Sequence, residues 1–355
     1  MPSTPKWKDC LENLTGNIGK IRLNYFLSLS KNSLKNNILE LLPLLFQKKM
    51  ATGIQFEIKK RETFEQGLHR LLEELNSETA RLLVAGSRMH ISIHEARKNI
   101  KKIRAALRLI RNEIGEEKYR GLNAFYSEAG QQVAMLRDDT SIIELLENFK
   151  LAIKSPALKK VIQKSIRLTI KKRENEFAEF HKGKNDIRLN KSLLNKTGEL
   201  NNLNIEGKPE VFILQSVGKV HRSTIKRMNL AEQEGSKEAY HNWRKQVKYL
   251  MFQMMLLKNA WPQFFEAYID ELNKLQKLLG NLHDLDILNN MVVDGQLLQL
   301  GKTQKEPLLN YIYPRRANLK KQVHLIGRQV FAESSLTFAQ RLLGIWNNSG
   351  YGQAK

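Results

Sequence analysis

The sequence predicts an all-α protein of two helical bundles related by an internal duplication. Three observations carry that prediction. Proline and glycine number only 8 and 20 in 355 residues. That is about 2% and 6%, against usual shares of about 5% and 7%, and such a scarcity of breakers opposes both a turn-rich β-sandwich and a disordered chain. Apolar residues recur at helical spacing from about Thr63 to Phe180, and again from Val211 to about Trp346. Finally, the pattern H-x-x-R-K-x-x-K occurs twice, as His94 to Lys101 and as His241 to Lys248, at an offset of 147.

Each segment follows from its texture. Residues 1–54 read as an N-terminal extension: 1–49 mix Lys, Asn and Leu without a clean period, and Met50 is a candidate start for the folded part. Residues 55–182 form the first helical half. Residues 183–210 read as a polar linker, because Asn185, Asn190, Asn195, Asn201, Asn202 and Asn204 crowd a stretch poor in apolar residues. Residues 211–346 form the second half, and 347–355 a tail. Further landmarks match in order. Leu136-Arg137-Asp138 answers Leu282-His283-Asp284 at an offset of 146, and Arg167 with Lys171 answers Arg316 with Lys320.

Charge narrows the function. With 59 basic and 36 acidic residues the chain carries +23, which repels itself in a folded protein and calls for an anionic partner. The single cysteine, Cys10, excludes a disulfide framework and a thiolate metal cluster. No apolar run approaches the roughly 18 residues of a membrane span. The start of the chain, broken by Asp9 and Glu12, lacks the apolar core of a secretory signal. A cytoplasmic protein is expected.

The first motif helix has two neighbouring stripes. Ile93, Ala96, Ile100, Ile103, Leu107, Ile110 and Ile114 step by three and four, as a core-facing seam does. One residue on come His94, Arg97, Lys101, Arg104, Arg108 and Arg111, rotated by about 100° and so beside the seam, with Lys98 widening that face. The second half repeats the design. Tyr240, Trp243, Val247, Leu250, Met254 and Leu257 form its core, with His241, Arg244, Lys245 and Lys248 beside it. Lys219, Arg222 and Lys226 share a face of the preceding helix, so two helices are expected to aim cations into one groove. Like charges three and four apart repel by about 0.2–0.5 kcal/mol per pair, so the row is costly unless an anion relieves it. His94 to Arg108 spans about 21 Å at 1.5 Å per residue, a length suited to an extended polyanion. The two histidines read equally well as phosphate donors or as groups tied to a carboxylate. Asp138 and Asp284 read as partners that orient a cation of the stripe.

These motifs, in this order and in duplicate, resemble the CHAD domain, the conserved histidine α-helical domain, over roughly residues 55–345. The resemblance implies two helical bundles in pseudo-twofold relation around a basic central cavity that binds inorganic polyphosphate, and some family members gather at polyphosphate granules. It places phosphate contacts on His94, Arg97, Lys98, Lys101 and Arg104, and on His241, Arg244, Lys245 and Lys248. Two positions depart from the family: His283 stands where the second half usually has Arg, and Leu250-Met251 replaces a Leu-Arg-Tyr. The family is often joined to a triphosphatase marked by Glu-x-Glu-x-Lys, of which Glu57-Ile58-Lys59 is only a fragment. Polyphosphate binding without catalysis, and with no cofactor or metal, is therefore expected.

Two rivals stay open at this point. An RNA- or DNA-binding protein would use the same basic surface, but single-strand binders expose aromatics to stack bases, and Tyr240 and Trp243 fall on the core stripe. A metal-dependent phosphohydrolase would be built on His90, His94 and Asp138 or Asp139, and the second half offers no histidine to match His90.

Overall fold

Thr63 opens the first described helix with a capping box. Its hydroxyl accepts the Gln66 backbone N–H, and the Gln66 side chain accepts the Thr63 N–H, both at 3.1 Å. From that cap α1 runs Phe64–Leu83, with Leu68, Leu71, Leu72 and Leu75 wholly buried. The computed structural model describes residues 54–84, 89–295 and 300–351. Expectations for residues 1–53, Cys10 and Met50 included, lie outside the described residues. The chain divides into residues 1–55 and a unit Phe56–Lys355, and every helix named below belongs to that unit.

After α1 come α2 (Met89–Leu109), a short turn Arg111–Ile114, α3 (Glu116–Ala152), α4 (Pro156–Lys182) and α5 (Asn185–Asn201). A π-helical entry, Glu210–Val217, then leads into α6 (Gly218–Glu234), α7 (Lys237–Leu257), α8 (Pro262–Asp294), α9 (Lys302–Val330) and α10 (Ser335–Ser349). Ser155, Ser236 and Ser334 cap α4, α7 and α10 by accepting backbone N–H groups. Among the described residues there is no strand. The all-α expectation holds.

The packing order repeats. In the first set α1 packs on α2 and α5, α2 on α3, α3 on α4, and α4 on α5. In the second, α6 packs on α7, α9 and α10, α7 on α8, and α8 on α9. The two core seams lie where the sequence puts them: Ile93, Ala96, Ile100, Ile103 and Leu107 on α2, and Tyr240, Trp243, Val247, Leu250, Met254 and Leu257 on α7, are all buried. The sets meet where α2 packs on α7. They also share one apolar cluster, in which Leu146, Phe149, Ile153, Leu158, Ile162 and Ile166 pack with Leu288, Met291, Val292, Leu308 and Ile312.

The expected linker 183–210 is a correction, because most of it is helix α5. Leu189, Leu193 and Leu200 supply a buried side. One of the asparagines that suggested a loop ties the helix to α1, and an asparagine of α1 answers it. Asn190 donates to the Ala80 carbonyl at 2.7 Å, and Asn76 of α1 donates to the Leu193 carbonyl at 2.7 Å and receives Tyr126 Oη on its own oxygen at 2.7 Å. Low helix propensity costs each Asn only a few tenths of a kcal/mol, which burial of three leucines outweighs. The first set thus has five long helices, as the second does. The expected tail also differs: α10 runs on to Ser349, and Tyr351 Oη donates to the Ile58 carbonyl at 3.0 Å.

Candidate anion-binding site

Where α2 crosses α7, cations from both halves face one another. Lys101 is half-buried, and burial first, then the charges of Lys248, Arg97, Arg244 and Arg137, push its ammonium down to about 7. Lys248 is held at about 8 by burial and by Arg244, Arg97 and Lys98. Arg244 is lowered by burial and by Arg97, against the pull of Asp284. The pairing is reciprocal. Lys101 stands 147 residues from Lys248, and Arg97 the same distance from Arg244; Arg244 acts on Lys101 as Arg97 acts on Lys248. Cations crowded and partly desolvated in this way lower one another's proton affinity, because burial and like charge both disfavour the charged form.

Two carboxylates stand nearby and do not neutralise the cluster. Asp138 Oδ1 accepts Arg97 Nη1 at 3.2 Å from an exposed position, and burial raises the pKa of Asp284 above the ordinary carboxylate value. Asp138 thus orients Arg97 as expected, while Asp284 pulls on Arg244 through its charge. Lys98, which is exposed, meets Glu95 at 3.3 Å. Lys245 is exposed as well, and its charge helps hold the His241 imidazole at about 4, after burial.

The histidines differ between halves. Arg137 Nε donates to His94 Nδ1 at 3.2 Å. A guanidinium has no acceptor, so Nδ1 accepts and the neutral ring carries its proton on Nε2, ready to donate to an anion. Burial and Arg137 together lower the His94 pKa. In the second half the neighbour of His241 is His283, with ring centres 5.2 Å apart. Arg137 and His283 were visible in the sequence only as landmarks. Gly280 was missed altogether: a Cβ there would stand 3.1 Å from Arg244 Nη2, so the bare backbone of α8 gives the guanidinium its resting place.

Several expected contacts are engaged elsewhere. Arg104 Nε donates to Asn123 Oδ1 at 3.1 Å, and the Arg108 guanidinium lies 4.0 Å over the Tyr249 ring, where α7 covers the lower part of the stripe. Arg316 pairs with the buried Asp286 at 2.5 Å, and Lys320 donates to the Gly235 carbonyl at 2.9 Å. Both are structural ties. Arg167 and Lys171 are exposed on α4, and it is Lys172 that reaches the buried Asp139, at 2.9 Å. Lys219, Arg222 and Lys226 are exposed on α6, where Arg222 and Lys226 line a separate shallow groove with Ser335. None of the charges acting on Lys248 or Arg244 comes from α6. The one-groove expectation for α6 and α7 is thereby corrected: α7 shares its cations with α2 instead, because α6 turns its lysines away from that crossing. Among the described residues, no three His, Cys, Asp or Glu side chains gather as a metal ion would require, and no helix is long and apolar enough to cross a membrane.

The profile of the CHAD domain matches residues 66–292, from within α1 to within α8. The chain belongs to the CHAD domain family. Among solved structures, the CHAD domain from the plant Ricinus communis is similar, with a TM-score of 0.51 and 17% identity, covering 81% of this chain and 94% of that one. At that identity the likeness speaks to the fold alone. No curated protein matches the chain. α9 and α10 lie beyond the matched residues and complete the second set of five helices.

Proposed function

We propose that this CHAD protein binds inorganic polyphosphate, without catalysis, in one cleft shared by its two halves. The observation that supports it is the reciprocal facing of Arg97 and Lys101 with Arg244 and Lys248. Residues facing their own repeats are what a twofold relation produces. Four cations crowded at one helix crossing repel one another, and an anion seated among them relieves that repulsion. An extended chain of phosphates suits it, since each phosphate meets a lysine or a bidentate arginine in turn. Neutral His94 adds an N–H donor at the rim. The reading carries with it a cytoplasmic location and association with polyphosphate granules, as for some family members.

Calorimetric titration of triphosphate and of long-chain polyphosphate tests this. A polyanion reaching both stripes makes its second contacts intramolecularly, which can raise affinity by about 10²–10⁴. Affinity therefore climbs with chain length and then levels off. Equal affinity per phosphate for both ligands would show two independent sites. Single-stranded RNA is the competitor of choice, because Tyr240 and Trp243 are buried and offer bases no platform; RNA displacing polyphosphate at equal phosphate concentration would overturn the assignment. Phosphate release in the presence of divalent metal would overturn the non-catalytic part.

A further inference from the structure

Beside the cleft, α7 and α8 form an open concavity of about 360 Å³ lined by Lys237, Glu238, His241, His283, Asp286 and Asn290, with Ile287 as its apolar wall. His241 Nδ1 is buried there and meets no hydrogen-bond partner. The corresponding place in the first half has a permanent cation, Arg137, against His94. Here a second imidazole takes that place, 5.2 Å from the first. We propose that His241 and His283, with Lys237, form a phosphate subsite that fills only when the imidazoles are protonated, so that the second half engages a polyanion fully only in acid. The proposal rests on the polyphosphate reading and deepens it.

The charges of the concavity lead to this. Asp286 is already committed to Arg316 at 2.5 Å. Lys237 Nζ donates to Asn290 Oδ1, and Glu238 balances its formal charge, so with two neutral rings the lining residues bring no net charge to an anion. Each proton gained adds one positive charge. The groups facing His241 are Lys245 and Arg244 from α7, His283 from α8 and Lys101 from α2. Those facing His283 are Arg244 from α7, Asp284 and Asp286 from α8, and Asp138 from α3. Burial, reinforced by these cations, holds His241 at about 4 and lowers His283 as well, so both rings are neutral in the free protein at neutral pH. A phosphate oxygen between the rings supplies the missing negative charge and draws the protons back. Binding thus takes up protons, and by linkage affinity rises as pH falls, levelling off toward pH 4, where His241 of the free protein is itself protonated.

The test is calorimetric titration of long-chain polyphosphate at pH 7.5 and 5.0, in buffer pairs of different ionisation heat so that proton uptake is counted. The internal phosphates of the ligand stay ionised throughout. Wild type is expected to bind at least tenfold tighter at pH 5.0, with net proton uptake. His283→Arg supplies the permanent cation of the first half. It should bind tighter than wild type at pH 7.5 and lose most of the acid gain, and what gain survives belongs to Lys101 and the remaining imidazoles, His94 and His241. His283→Gln should lose the gain by staying weak at pH 5.0, and helical circular dichroism confirms that both variants fold. An acid gain as large in His283→Arg as in wild type, or equal wild-type affinity at the two pH values, overturns the subsite while leaving the polyphosphate reading intact. No binding at either pH overturns both.

Discussion

Replacing Lys101 by Met should stabilise the protein while weakening its grip on polyphosphate. Lys101 sits at about 7 where an ordinary lysine sits at 10.5. Each pH unit is about 1.36 kcal/mol, so keeping that proton costs the folded state on the order of 4 kcal/mol at neutral pH. The sign follows from which state binds more protons. Between about 7 and 10.5 the unfolded lysine is protonated and the folded one is losing its proton, so stability rises with pH across that window and the full cost remains below it. Lys248, at about 8, adds the same sign over a narrower window. In low-salt buffer free of phosphate and sulfate, the wild-type Tm should therefore climb from pH 7 to 9.5. Lys101→Met keeps the length of the side chain and removes the charge. At roughly 2 °C per kcal/mol for a large domain, it should melt about 5 °C or more above wild type at pH 7, with less advantage at pH 9.5. Its polyphosphate affinity should fall at least tenfold, the loss of one charge-assisted contact of about 1.5–3 kcal/mol. Differential scanning fluorimetry with calorimetric titration measures both. A lower Tm at pH 7 with unchanged affinity would refute the reasoning, since Lys101 would then be holding the fold together.

Other changes probe other parts of the site. Arg244→Gln with Lys248→Gln should abolish the gain of long chains over triphosphate, leaving weak binding by the first stripe, as read by titration of both ligands. Gly280→Ala puts a methyl 3.1 Å from Arg244 Nη2; affinity should drop several-fold while Tm holds or rises, because alanine favours the helix by about 1 kcal/mol. Leu193→Ala should cost about 2–5 kcal/mol in urea unfolding, as a core truncation does, whereas the same change in a linker would be silent.

Much of this arrangement was legible in the sequence because burial enforces the helical period. On α2 and α7 every third or fourth residue must be apolar, and whatever lies one position on is carried to the edge of the seam. His94, Arg97, Lys101, His241, Arg244 and Lys248 could thus be located from spacing. Their partners could not. Arg137, His283 and Gly280 come from helices some 40 residues away, and nothing in the period of α3 or α8 says which side chain meets which. Arg316 and Lys320 show the converse failure: they share a helix face as spacing requires, yet that face meets Asp286 and the Gly235 carbonyl. α5 was hidden by composition, since its three buried leucines are outnumbered by polar residues, some of which bond α1.

The apolar cluster shared by the two halves has a consequence for synthesis. Ile166 closes its first contribution and Ile312 its last, so a ribosome adding about 5–20 residues per second leaves them roughly 7–30 s apart. For that interval Leu146, Phe149, Leu158, Ile162 and Ile166 have left the exit tunnel and their covering residues on α8 and α9 have not. The nascent chain is then at its most adhesive, with half a core facing solvent beside a strongly basic surface that neighbouring RNA attracts. Chaperone demand should peak when the chain is between those two lengths and vanish once α9 has emerged.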